Sequence, residues 1–487
     1  MKNIRKMIIV LLLILLAIIG LGCIQQQHKK EIVEKSLKPQ ITLISKIKLS
    51  APEPSEIPDV TKERWSFGLP YTKVIVSPDG SRILVVEKSK MMMFDSNGNK
   101  LWEKTIYTAI DNYVVTEDRI YITEKYAYKR WKKHGYIICL DMNGNEMWKF
   151  DMKELLKPLI EKYMPKDGKI SIDCYIMISA YKDIIFADAY TTWSVNGTRD
   201  KAEVLIALDK DGNLLWKVES HGYPGICSLS HMMVINGKLV MGTYSYGDKI
   251  NGPAYVHAYD IKTGKELWKF YVPHEDELAY KESTSVNAGV VGDKVVAVAN
   301  FGRIYVLDEN GNKITDFLAF KPIKYKNYTI CTNVWKSSVA FGDNYIVLAP
   351  QKSNVKGVAQ YYARAPIKHP DAGSIMIFDL NGTLKWKFRL GGQVSNIKIG
   401  GNYLILATLH DADTLNFNYT GVYVFDLTAK GDVVEKYLGF YHTNGPILWG
   451  SMDCSKDGRI IAVVTWPVRV GTTIFGEHAL YILKIEK

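Results

Sequence analysis

Cysteine is scarce in this chain of 487 residues. Beyond the N-terminal segment only Cys139, Cys174, Cys227, Cys331 and Cys454 occur. They are dispersed and odd in number, with no metal-ligand spacing, which excludes a disulfide-stapled scaffold and a cysteine-based zinc site. The ten histidines contain no HxxxH or HExxH arrangement, and neither a Gly-x-Ser-x-Gly elbow nor a glycine-rich phosphate loop is present. Those absences remove the commonest metalloprotease, α/β-hydrolase and P-loop chemistries.

The one long apolar run stands at the start. Lys2, Arg5 and Lys6 precede an uncharged stretch from Met7 to Leu21, closed by Gly22-Cys23. This is the pattern of an export signal over residues 1–22. A Cys directly after the Gly points to lipoprotein processing, with Cys23 lipidated, although Gly20 stands where such sites usually carry Leu. An uncleaved anchor stays open, since Met7 to Ile24 just reaches spanning length. Either way the remainder is expected outside the cytoplasm, tethered to a membrane. Residues 23–60 are polar and proline-containing and read as a flexible tether.

What the rest contains is repetition. An apolar strand ending in Asp, a tight Gly turn and usually a Trp recur at Asp95–Trp102, Asp141–Trp148, Asp209–Trp216 and Asp260–Trp268. Weaker copies start at Asp308, where the Trp is missing, at Asp379 (with Trp386) and at Asp426. A unit of this kind repeating at tens of residues builds a radial array of small sheets. Each unit reads as three hairpin-linked strands plus a fourth after the Gly. The turn Asp is expected to accept N–H groups of its own turn, and the Trp to cover the seam to the next blade. Uneven gaps between the Asp residues imply inserted loops.

The C-terminal run Ala479–Leu483 matches a third strand and then the chain stops. An N-terminal strand, Glu63 to Phe67, is expected to complete that last blade and remove its open edge. The expected fold is therefore all-β: an eight-bladed propeller of four-stranded antiparallel blades over residues 61–487, with seven blades plus a stray hairpin as the alternative.

The segment Asp260-Ile261-Lys262-Thr263-Gly264-Lys265-Glu266-Leu267-Trp268 resembles the pyrroloquinoline-quinone-type propeller repeat. The resemblance covers roughly residues 61 to 487 and is strongest in the first four blades. It implies the propeller fold, shared by quinoprotein dehydrogenases and by cofactor-free outer-membrane-assembly lipoproteins. The dehydrogenases resemble one another in an adjacent Cys-Cys pair at the cofactor, and this chain has none. It therefore resembles the cofactor-free members more, and no cofactor is expected.

By strand parity, the long segments all fall on one face: 125–135, 151–169, 191–202, 245–254, 351–373, 410–420 and 467–478. Loops on a rigid scaffold usually carry recognition, so that face is the expected binding surface. Its candidate anchors are Tyr126, Trp131, Trp193, Tyr361, Tyr362 and Arg364, aromatic and arginine side chains of the kind that dominate interfaces. The bland alternative is that these aromatics only pack the loops. Asp411 and Asp413 form the one compact set of metal-ligand types, a weak candidate because calcium needs several further oxygens. The net charge of +11 looks scattered through the turns, with no strand concentrating it. The expected role is a non-catalytic binding or scaffold module of the cell envelope, monomeric, with another envelope protein or a surface glycan as partner and no nucleic acid. An extracytoplasmic quinone- or calcium-dependent oxidoreductase and a glycan-binding protein are the alternatives.

Overall fold

In a computed structural model the described residues are 40–61, 72–87, 90–105, 110–124, 135–222, 225–226, 232–243, 254–278, 284–357, 365–411 and 415–486. They form eight four-stranded antiparallel sheets. Blades 1 to 7 are consecutive meanders over 73–105, 110–151, 169–221, 233–272, 286–318, 339–389 and 394–442. In each, the second and third strands are apolar and largely buried, whereas the fourth alternates, as in Lys100–Thr105 with its exposed and half-buried positions. That outer strand faces water on one side, which is why period-two patterning survives there.

Blade 8 is made from both ends of the chain. Its sheet runs Ile447–Cys454, Ile460–Thr465, Ala479–Ile485 and finally Ile41–Lys48. Ile41 pairs with Ile485 and Lys48 with Ala479, antiparallel, with a bulge between Leu43 and Ser45. The completing strand thus lies about twenty residues upstream of the expected one, and Glu63 to Phe67 lie outside the described residues. This also corrects the tether boundary. Residues 41–60 belong to the folded domain, with Leu49, Ile57 and Val60 buried. Polar composition masked this strand, whose burial is uneven across its bulge: Ile41 is buried, Ile44 and Ile47 are half-buried against the neighbouring strands, and Leu43 is exposed. Blade 8 meets blade 1 through Ser451, whose hydroxyl donates to the Thr72 carbonyl at 2.5 Å, and Asp453, whose carboxylate accepts the Val76 N–H at 3.1 Å.

The repeat signature does two jobs. Asp95 accepts the N–H groups of Asn97 and Asn99 at 2.9 and 2.8 Å, and Asp141, Asp209 and Asp308 repeat that geometry. Each Trp then reaches the turn of the next blade. The indole N–H groups of Trp102, Trp148, Trp216 and Trp268 donate to the carbonyls of Met142, Lys210, Ile261 and Glu309 at 2.8 to 2.9 Å. The ring faces lie on the turn glycines. A Cβ on Gly212, Gly264 or Gly311 would sit 2.6 to 2.7 Å from the preceding blade's indole, and all three have φ between +71° and +86°. Glycine is required there twice over, for backbone and for space. In blade 5 Thr315 stands at the Trp position, and Phe317 covers Gly382 instead. Trp386 packs on Phe425 of blade 7, with ring centroids 5.4 Å apart.

Candidate binding face and central cavity

The described insertions emerge together on the face opposite the Asp-Gly turns. Helix α1, Met152–Tyr163, connects blades 2 and 3 and is capped by Asp151, whose side chain accepts the Lys153 N–H. It seats Met152, Leu156, Leu159 and Ile160 on the propeller, with Leu155 at the margin. The expected loop at 191–202 is instead regular structure. Ile184–Val195 and Thr198–Asp209 pair without interruption from Ile184↔Asp209 to Val195↔Thr198, so this hairpin projects past its blade.

Trp193 on that hairpin is 1% exposed and packs with Leu156, Leu159 and Ile160 beneath α1. It holds the helix down and presents nothing to a partner, which corrects its place among the candidate anchors. Tyr163 and His221 stack above it with ring centroids 4.1 Å apart, and His221 Nε2 lies 2.9 Å from Asp200. Tyr126, Trp131, Tyr361, Tyr362, Arg364, Asp413 and Cys23 lie outside the described residues.

Two small sheets add to the face. A hairpin in blade 8, Val468–Val470 with Thr473–Phe475, receives the N-terminal segment along one edge, where Val60 N–H donates to the Arg469 carbonyl at 2.9 Å. Phe475 stacks on Phe417 of blade 7, 4.7 Å between centroids. Between blades 5 and 6, Ile323–Tyr325, Tyr328–Cys331 and Asn354–Val355 form a three-stranded satellite sheet. Neither sheet has a signature in the repeat, so only the uneven spacing hinted at them.

Asp411 is committed elsewhere. Its carboxylate meets Lys368 Nζ at 3.0 Å, and no group of three metal-ligand side chains occurs among the described residues. Cys139, Cys331 and Cys454 are free, and burial pushes their thiols up to about 11, 11 and 12, far from thiolate chemistry.

The inner strands enclose a central cavity of about 600 Å³, lined by Lys73, Lys336, Lys398, Trp335, Trp449 and Asn396 among others. Lys398 pairs with Asp453 at 3.0 Å, and that carboxylate raises its pKa. The amides bridge neighbouring blades. Asn112 donates to the Ile176 carbonyl at 2.6 Å, and Asn396 donates to Leu448 while accepting from Gly450, both at 2.7 Å. A calcium-assisted quinone, the group the dehydrogenase fold implies, needs uncommitted oxygen donors for its cation. Here the lining carries three lysines, and Asp453 is tied to Lys398 and to the Val76 N–H. These residues do not fit a quinone with its calcium.

Residues 184–308 match the family model described as outer membrane protein assembly factor BamB. The quinohemoprotein alcohol dehydrogenase ADH-IIG of Pseudomonas putida is 34% identical over 118 residues, 23% of this chain. The match spans 15% of that enzyme's length. The solved structure of that dehydrogenase superposes with a TM-score of 0.51 at 9% identity, over 92% of this chain and 76% of its own. BamB from Moraxella catarrhalis superposes with a TM-score of 0.47 at 12% identity, over 91% and 99%. The chain is a β-propeller carrying pyrroloquinoline-quinone-type repeats, as its turn signature implies. Among the described residues no helix is long and apolar enough to cross a membrane.

Proposed function

We propose that this protein is a membrane-tethered, extracytoplasmic scaffold that binds another envelope protein through its loop-rich face. The observation that carries the reading is the asymmetry of the two faces. One is closed by near-identical Asp-Gly turns locked under indoles. The other gathers the long insertions on a rigid platform, the usual arrangement of a recognition surface. The match of 184–308 to the BamB family model supports a protein-binding role. The export signal at 1–22, lipidation at Cys23 and a monomeric state complete the proposal. Tyr126, Trp131, Tyr361, Tyr362 and Arg364 remain the proposed anchors.

Cross-linking in intact membranes, with mass-spectrometric identification of the joined lysines, tests this. One abundant protein joined through Lys129, Lys132 or Lys368 is the expected result. Cross-links confined to the Asp-Gly face, or no protein partner at all, would refute it and bring glycan binding forward.

A further inference from the structure

Basic side chains occur throughout this molecule, but one stretch nearly lacks the acids that offset them elsewhere. Residues 317–370 carry eight Lys and Arg side chains against a single acid, Asp343, and that Asp lies in a short turn on the opposite face. The stretch is the one that builds the satellite sheet. Lys368 pairs with Asp411, whereas three lysines on or beside the sheet meet neutral groups. Lys324 Nζ donates to the Thr329 hydroxyl at 2.8 Å, Lys326 lies 5.5 Å from the Tyr325 ring centroid, and Lys356 meets the Asp276 carbonyl. The other face mixes the repeat carboxylates Asp95, Asp141, Asp209, Asp260, Asp308 and Asp379 with lysines of the same turns, such as Lys210, Lys262 and Lys265.

The satellite sheet also has an open edge. Among the described residues its order places Ile323–Tyr325 outermost, paired only with Tyr328–Cys331. The two-residue turn at Lys326-Asn327 makes Tyr325↔Tyr328 a hydrogen-bonded pair, so Lys324 N–H and C=O point outward. Tyr328 beside it is 47% exposed. A lysine at the outward position of an edge strand repels a second copy of the same edge, and favours a strand of opposite charge.

We propose that this sheet docks an extended acidic segment of the partner protein, laid along Ile323–Tyr325. The proposal rests on the scaffold reading and names the partner's chemistry. The anchoring bilayer is the poorer occupant, because the chain enters at Gln40, beside Glu486 at the Asp-Gly face. That places the basic sheet on the far side from the proposed tether.

The test uses detergent-solubilised full-length protein and a fluorescent decapeptide of alternating Glu and Val. Binding is expected at low salt and should vanish near 1 M, where the screening length falls to about 3 Å. Lys321→Glu/Lys324→Glu/Lys326→Glu should weaken it at least about tenfold, and Lys324→Thr alone about two- to threefold. Reversing Lys210, Lys262 and Lys265 on the other face should leave it unchanged. Equal loss in both triple variants, no peptide binding, or tighter and salt-resistant binding of dextran sulfate would each overturn the proposal. Cross-linking to a partner probes the scaffold reading separately, so the two can fail independently.

Discussion

Gly311→Ala isolates the contact that joins one blade to the next. Gly311 has φ +84°, and an added Cβ would lie 2.6 Å from Cδ2 of Trp268. The left-handed backbone costs an L-residue about 1–2 kcal/mol, and forcing a methyl into an occupied site about 1–3 kcal/mol more. The expected loss is therefore about 2–5 kcal/mol, the sum of those two effects. Gly237 supplies the control. It has φ +74° with nothing within 4 Å of the position its methyl would take, so Gly237→Ala should cost only the backbone share. In a Trp268→Ala background the space opens, and Gly311→Ala should fall to the same backbone share. The coupling in this cycle is then about 1–3 kcal/mol, well above the few tenths expected for independent sites. Guanidinium unfolding followed by far-UV circular dichroism, compared at matched slopes, reads each difference. An unchanged cost of Gly311→Ala in both backgrounds would refute the claim that the glycine makes room for the indole.

Three further outcomes are expected. Turn hydrogen bonds hold Asp95, Asp209, Asp260 and Asp308 below the usual carboxylate range, so they stabilise the fold above about pH 4 and that stabilisation fades as pH falls through their folded values. Melting temperature should drop below that pH, and Asp209→Asn should flatten the drop; an identical acid profile in the variant would count against it. Deleting residues 1–48 should expose the Ala479–Ile485 edge and cause self-association on size-exclusion chromatography, whereas deleting 1–39 should not. Trp193→Ala should cost about 3–5 kcal/mol, as for a buried aromatic, while Trp131→Ala and Tyr361→Ala should weaken partner binding with little change in stability.

The blades are legible in the sequence because their chemistry is local. An Asp, a Gly three or four residues on and a Trp beyond state a turn, a φ sign and a seam within nine positions. The strand that completes blade 8 is harder to find, since Ile41–Lys48 is defined by pairing with Ile485 to Ala479 at the far end of the chain. Its apolar residues Ile41, Leu43, Ile44 and Ile47 keep no clean alternation, and they lie within a segment whose prolines and charges suggest a tether. Trp193 misleads for a related reason. Its sequence neighbours are polar, but its spatial neighbours are Leu156 and Ile160, contributed by an insertion elsewhere. The basic satellite stretch is marked in the sequence by a single acid, Asp343, and only its departure from the blades turns it into a surface.

The way blade 8 is assembled has a mechanical consequence. Strand Ile41–Lys48 lies along Ala479–Ile485 with residue 40 at its leading end. A pull entering at Gln40 along the strand axis stresses the backbone bonds of this pairing together, in shear, instead of peeling them singly. An anchor in the membrane and a partner on the opposite face would therefore strain the propeller in its more resistant geometry. The seam that joins the two ends of the chain would then also transmit tension between membrane and partner, and single-molecule extension from the two ends of this strand pair would show a higher rupture force in shear than in peeling.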